Sequence, residues 1–273
     1  MSSNHLKVLL KQFVPPIFIS LFKKNKKYGW KGDYKSWMEA KADSGVYDDK
    51  QILEKVKKAV LQVKSGEAVY ERDAVLFDSI EYSWPLLTSL LWIATQHAGK
   101  LHVADFGGSL GSSFFQNKKF LSCLLELKWN IIEQELFVQC GKEFIQDDTL
   151  RFVYTLDQLI SEQGMPDVLL FSCVLPYLEN PYAVLERLVE YKIPFLIIDN
   201  TYFNFEHRDR ICVQHVPPII YDASYPCWFL DYTRVKKILT DTYLLVSEHQ
   251  NDSFIYLDGK KIKYQGLLLK KEG

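Results

Sequence analysis

The sequence predicts an α/β protein built on a mostly parallel β-sheet with helices on both faces. Three observations predict it. From Lys100 onward, short apolar runs alternate with helix-length segments, the order that builds a parallel sheet from strand–helix–strand units. The runs are continuously apolar, so each strand is buried on both faces. The first run ends in an acid and a cluster of small residues, Asp105-Phe106-Gly107-Gly108-Ser109-Leu110-Gly111, at the sheet edge where open α/β proteins bind ligands.

Residues 1–32 form an arm. Val14 to Phe22 is apolar and is followed by Lys23, Lys24, Lys26 and Lys27. The apolar run is too short to span a bilayer, and its charges follow it, unlike those of a signal peptide. Two readings stand: a short helix packed on the body, or a peripheral membrane contact through residues 14–27 whose lysines meet anionic headgroups. Residues 33–50 read as an acidic loop. In Gln51 to Lys64, Ile52, Val56, Val60 and Val63 recur at helical spacing, and Gly66 is a stop. Residues 67–99 read as a helix broken near Pro85, then a strongly apolar helix from Leu86 to His97 ended by Gly99. Residues 1–99 are thus expected to be a helical extension that caps a domain spanning 100–273.

In that domain the expected strands are Leu101 to Asp105, Trp129 to Glu133, Arg151 to Tyr154, Asp167 to Cys173 and Phe195 to Asp199. The expected helices are Ser113 to Leu127, Leu136 to Phe144, Leu156 to Gln163 and Pro181 to Tyr191. The tail reads as strands at Tyr243 to Glu248, Ser253 to Leu257 and Lys261 to Leu269, with Asp258-Gly259 as a hairpin turn. A parallel sheet ending in a hairpin has an antiparallel strand at or near one edge.

Composition excludes several classes. The 273 residues carry a net charge of −1, which offers no general field for nucleic acid. The five cysteines are dispersed, and the closest two, Cys212 and Cys227, are 15 residues apart. That pattern fits reduced thiols in a cytoplasm. The six histidines form no HxxxH or HExxH pattern, so no metal site is expected.

The glycine loop sorts the ligands. A P-loop needs GxxxxGK[ST], and no lysine follows Gly111. A dinucleotide fingerprint needs GxGxxG; read from Gly107, its later glycines fall on Ser109 and Ser112. The remaining pattern is an acid followed by small residues at alternate positions, Asp105, Gly107, Ser109 and Gly111. Glu133 lies 28 residues after Asp105 at a strand end, where an acid can accept hydrogen bonds from ribose hydroxyls, with Gln134 beside it.

The small-residue loop resembles motif I of the class I S-adenosylmethionine-dependent methyltransferases, Ser109 standing where that family usually has glycine. The whole chain resembles a narrower group of methyltransferases encoded in bacterial surface-polysaccharide clusters. That resemblance is carried by Gly32-Asp33-Tyr34, Tyr70-Glu71-Arg72-Asp73, Tyr82-Ser83-Trp84-Pro85, Asp105 to Ser113, Glu133-Gln134, Val216-Pro217-Pro218 and Ser224-Tyr225-Pro226-Cys227-Trp228. It implies a Rossmann-like class I methyltransferase fold with a mixed seven-stranded sheet. It also implies S-adenosylmethionine as cofactor, S-adenosylhomocysteine as product, and a sugar or glycan precursor as acceptor, most simply methylated on oxygen. Asp105, Gly107, Gly108, Ser109, Gly111, Glu133, Gln134 and Ser172 would then form the cofactor site.

If a hydroxyl is methylated, a base must take its proton. The candidates are His215 first and then Asp199, with His207 behind them. Tyr82, Trp84, Tyr221, Tyr225 and Trp228 offer aromatic planes for a sugar ring, although aromatics are more often core. Arg72 could hold a phosphate or carboxylate of the acceptor. Two rival functions fit less of the pattern: an NAD-dependent sugar oxidoreductase, and a non-catalytic S-adenosylmethionine-binding scaffold.

Overall fold

The computed structural model describes residues 27–45, 49–218, 220 and 223–272. The apolar segment of the arm and Tyr221 lie outside the described residues. In the N-terminal part, β1 (Gly29–Tyr34) is followed by α1 (Trp37–Asp43), α2 (Asp49–Ser65), β2 (Tyr70–Arg72), β3 (Val75–Phe77) and α3 (Trp84–Gln96). Then come β4 (Lys100–Phe106), α4 (Ser112–Leu121), β5 (Glu126–Ile132), α5 (Glu135–Cys140) with a π-turn over Gly141–Ile145, β6 (Leu150–Val153) and α6 (Leu156–Gln163). The chain continues through β7 (Val168–Ser172), α7 (Pro181–Val189), β8 (Phe195–Thr201), β9 (Phe203–Asn204), β10 (Arg210–His215) and β11 (Ser224–Asp231). It closes with α8 (Tyr232–Thr240), β12 (Tyr243–Leu257) and β13 (Lys260–Lys271).

The central sheet has seven strands in the order β12-β13-β8-β7-β4-β5-β6. The pairs among β6, β5, β4, β7 and β8 are parallel, and β13 joins β8 antiparallel. This is the class I methyltransferase fold expected, mostly parallel with an antiparallel C-terminal hairpin. Neighbouring strand residues face opposite sides. Val103, Ile131, Leu170 and Ile197 enter a core shared with α2, α3 and α4. Ala104, Ile132, Leu169 and Ile198 enter the core of the other face, against α6, α7 and α8. The chain runs outward from β4 to β6 and then returns to place β7 on the other side of β4. The carboxyl ends of β4 and β7 therefore flank the topological switch point, where such sheets open a crevice.

Several local expectations are corrected. Residues 70–77 form a hairpin rather than a helix, with Arg72 paired to Val75. Asp73 and Ala74 both have positive φ, 51° and 64°, which makes the tight two-residue turn that suits strand twist and that no helix allows. Pro85 starts α3 rather than breaking it, as proline does in a first helical turn. Helix α4 ends at Leu121 because β5 begins at Glu126, in register with Lys100 of β4. The acidic loop contains α1, which Ser36 caps by accepting from Glu39 N at 3.2 Å. The tail is one long bulged strand, β12, rather than two.

A second sheet, β1-β10-β11-β9, has no counterpart in the expected elements. Here β1 pairs antiparallel with β10, so a ladder ties residue 29 onward to the C-terminal half.

Candidate active site

The loop between β4 and α4 folds over its own acid. Gly107, Ser109 and Gly111 have φ of 72°, 54° and 104°, left-handed conformations that favour glycine. Ser109 adopts one without being glycine. Gly107 N donates to Ile132 O at 2.9 Å, which ties the loop to β5. A Cβ on Gly107 would stand 2.3 Å from Val174 Cγ2, and one on Gly108 would stand 2.5 Å from Asp105 Oδ2. Both positions exclude side chains by contact.

Beneath the loop, Asp105 is fully buried. Its Oδ2 accepts from Trp129 Nε1 at 3.0 Å, while Oδ1 has no hydrogen-bond partner among the described residues. Burial pushes this carboxyl up to about 7, against the pull of the Trp129 hydrogen bond. Glu133 is half-buried at the end of β5. It accepts from Ser109 N at 3.2 Å and from Gln134 N at 2.7 Å, and burial raises its pKa against these two bonds. The Gln134 residue itself is exposed.

Across the switch point, Ser172 and Asp199 are register partners at the ends of β7 and β8. Asp199 is buried. Its Oδ1 accepts from Ser83 Oγ at 2.8 Å and its Oδ2 from Ser172 Oγ at 3.2 Å. Burial raises its pKa, opposed by the Ser83 bond, the Arg72 charge and the Ser172 bond. Ser172, expected to bind cofactor, spends its hydroxyl on Asp199.

The β2–β3 hairpin closes over this edge. Ser112 Oγ, in the first turn of α4, donates to Glu71 Oε1, and Ala74 N donates to Glu71 Oε2 at 3.3 Å. Gln116 Nε2 donates to Tyr70 Oη at 3.2 Å. Glu71 is 1% exposed, and its burial pushes the carboxyl up to about 7. The adjacent Arg72 charge acts against burial at Cys173, Asp199 and Tyr264, lowering the pKa of each.

A relay of polar groups backs the edge. Trp30 Nε1 donates to Tyr202 Oη at 3.2 Å, Tyr202 Oη to Tyr177 Oη at 3.4 Å, and Tyr177 Oη to Gln214 Oε1 at 2.9 Å. Tyr225 packs edge-on against Tyr177, with ring centroids 5.6 Å apart.

The structure does not bring the other expected residues here. His215 pairs with Ser224 and shares its strand face with Val213 and Ile211, which pack with Ala40 of α1. Gln214 and Cys212 occupy the opposite face, toward Tyr177 and Tyr202. His215 is therefore turned away from Asp199, and it lines a shallow cavity with Lys27, Tyr28, Gly45 and Ser224. Trp228 stacks on Trp37 at 6.0 Å on that same face. Tyr82 and Trp84 cluster with Phe120 of α4, and Trp84 is 56% exposed. His207 bonds Thr233 in an exposed position.

Two residues missed in the sequence stand at the site. Ser83 occupies the N-cap of α3 but makes no side-chain cap bond, because its hydroxyl serves Asp199. His249 lies across its register partner Gly266, its Nε2 2.2 Å from where a Gly266 Cβ would stand. Its charge interaction is with Asp199. That Nε2 is buried with no hydrogen-bond partner among the described residues. Among the described residues no group of three His, Cys, Asp or Glu side chains could hold a metal ion.

No protein-family profile matches the chain, and no curated protein matches it in sequence. The chain is similar to several solved structures. The N-terminal domain of EvdMO1 with S-adenosylhomocysteine bound is 12% identical, over 83% of this chain and 98% of that chain, with a TM-score of 0.48. An O-methyltransferase family protein from Burkholderia thailandensis is 13% identical, over 82% and 61%, at 0.49. The N-methyltransferase NodS from Bradyrhizobium japonicum, in complex with S-adenosylhomocysteine, is 12% identical, over 78% and 99%, at 0.43.

Proposed function

We propose that this chain is a methyltransferase that moves the methyl group of S-adenosylmethionine to a hydroxyl of a sugar or glycan precursor. The observation that carries the reading is the loop at the switch point. Three left-handed residues lie over a buried carboxylate whose Oδ1 accepts nothing from the described residues. A buried acceptor without a donor costs about 1–3 kcal/mol, and an N–H-bearing or cationic ligand on the loop would supply that donor. The fit supports S-adenosylmethionine: Asp105, Gly107, Gly108, Ser109 and Gly111 would hold its methionine end, and Glu133, with Gln134 beside it, its ribose. When bound, the cofactor supplies an electrophilic methyl on a sulfonium whose leaving group departs uncharged.

The chain's remaining work is to orient a hydroxyl and remove its proton. Asp199 fits the base. It stands at the carboxyl edge, and its carboxylate is fixed by two serine hydroxyls. Burial raises its proton affinity above that of a free carboxylate, which makes it a stronger base. Ser83 and Ser172 act through it as positioning residues. Tyr225 beside Tyr177 is the aromatic plane on this side of the second sheet.

The sugar acceptor and the surface-polysaccharide setting rest on the seven sequence motifs. A cytoplasmic setting is supported by the five free cysteines, of which Cys212 and Cys227 face each other across two strands. Among the described residues no helix is long and apolar enough to cross a membrane. The proposed peripheral contact involves residues 14–27.

The test is calorimetric titration with S-adenosylmethionine, S-adenosylhomocysteine and NAD. Saturable binding of the two sulfur ligands without binding of NAD is the expected result. Binding of NAD alone, or of none of the three by the folded protein, would overturn the reading.

A further inference from the structure

The geometry points to an acceptor that carries an oxyanion, a carboxylate or a phosphate, seated by Arg72 next to Asp199. This inference rests on the methyltransferase reading and narrows the acceptor within it.

The six described arginines are spent differently. Arg187, Arg208, Arg210 and Arg234 each form an ion pair with an aspartate, and Arg151 is exposed. Arg72 is half-buried, and its guanidinium makes no hydrogen bond and no ion pair with any described residue. A guanidinium carries five N–H donors, and those of Arg72 meet solvent rather than protein.

The mounting of Arg72 is rigid. Its strand is joined to β3 by a two-residue turn and is clamped to one face of α4, where Glu71 and Tyr70 meet Ser112 and Gln116 one turn apart. Those contacts hold the hairpin at the carboxyl edge, where the Arg72 charge lowers the pKa of Asp199.

The surrounding groups do not use the donors. Cys173 and Tyr264 are kept protonated and uncharged by burial. Asp73 is exposed at the turn. Asp199 gives its two oxygens to Ser83 and Ser172 and stays beyond ion-pair distance of Arg72. An arginine present only to neutralise Asp199 would close on it. Left open, the planar fork matches a carboxylate or phosphate, which it can bind through two parallel bonds. The positive charge of Arg72 also offsets the repulsion between such an anion and Asp199. An acceptor anchored this way presents its neutral part to Asp199.

The test titrates the S-adenosylhomocysteine-saturated protein with glucuronate, glucose 6-phosphate and glucose. One of the two anions is expected to bind at least tenfold more tightly than glucose, and which one tells carboxylate from phosphate. Arg72→Gln should weaken that anion by about tenfold or more, the loss of a charge-assisted pair. Arg72→Lys, which keeps the charge but not the fork, should fall between. The affinity for S-adenosylhomocysteine should stay within about twofold in both variants, which shows that the fold and the cofactor site are intact. Glucose binding as tightly as the anions, neither anion binding, or anion binding that survives Arg72→Gln would overturn the inference. Loss of S-adenosylhomocysteine binding by the unmodified protein would instead strike the methyltransferase reading beneath it.

Discussion

Gly107→Ala is the sharpest probe of the loop. The new methyl group would stand 2.3 Å from Val174 Cγ2 and 2.9 Å from Val174 Cβ, on a backbone with φ of +72°. Left-handed backbone costs a non-glycine residue about 1–2 kcal/mol. Forcing a methyl into a packed contact adds about 1–3 kcal/mol. The stiffer unfolded chain returns about 0.4–1 kcal/mol. The net expectation is a loss of about 1–5 kcal/mol. Val174→Ala removes both γ carbons and so relieves most of the clash, but it leaves the backbone strain untouched. In a double-mutant cycle the pair should therefore couple favourably by about 1–2 kcal/mol. The assay is urea unfolding at one pH, read from the midpoint with an unchanged slope. Losses that add within about 0.5 kcal/mol would show that Gly107 does not lie against Val174, and the derived loop geometry would fail.

Further predictions follow from charge and position. Asp105 and Glu71 are both pushed up to about 7 by burial, from unfolded values near 4. The folded state therefore holds protons that the unfolded chain has lost. Their contribution is fully present below about pH 4 and is lost as pH rises through about 7. Unfolding free energy should fall between pH 5 and pH 8, and Asp105→Asn should flatten that fall by on the order of 2–4 kcal/mol; an unchanged slope would place Asp105 outside the core. Asp199→Asn should slow methyl transfer about 10²–10⁴-fold while leaving S-adenosylhomocysteine affinity unaltered. His215→Ala should leave both unaltered. The reverse pattern, followed with a labelled methyl donor, would move the chemistry to the α1 face of the second sheet.

The central sheet was legible because its signal is local. Continuous apolar runs such as Phe195 to Ile198 have few alternatives to a doubly buried strand, and the acid-and-glycine loop marks the switch point. Asp105, Glu133 and Asp199 could be singled out for the same reason: each closes an apolar run. What stayed hidden depends on partners distant in sequence. The strand β1 pairs with β10 across 186 residues, Gly29 with His215, and nothing near residue 29 announces that partner. His215 lay beside a proline pair, but its facing is set by the register of β10 with β11. His249 was concealed by a bulge. Counted evenly from the Asp258-Gly259 turn it would face Leu268, but the register shift between Gln250 and Phe254 sets it against Gly266, and only there does its ring have room. The Asp73-Ala74 turn carried a weak signal, since alanine seldom takes positive φ. The Ser36-x-x-Glu39 spacing did mark the start of α1, within a stretch read as acidic loop.

The most direct measurement is a crystal structure of the full chain grown with S-adenosylhomocysteine. The ligand is expected on the glycine loop, with its amino group toward Asp105, its ribose hydroxyls on Glu133 and its sulfur on the side of Asp199 and Arg72. A ligand bound elsewhere, such as in the cavity beside His215, with the glycine loop untouched, would contradict the placement of the active site at the switch point.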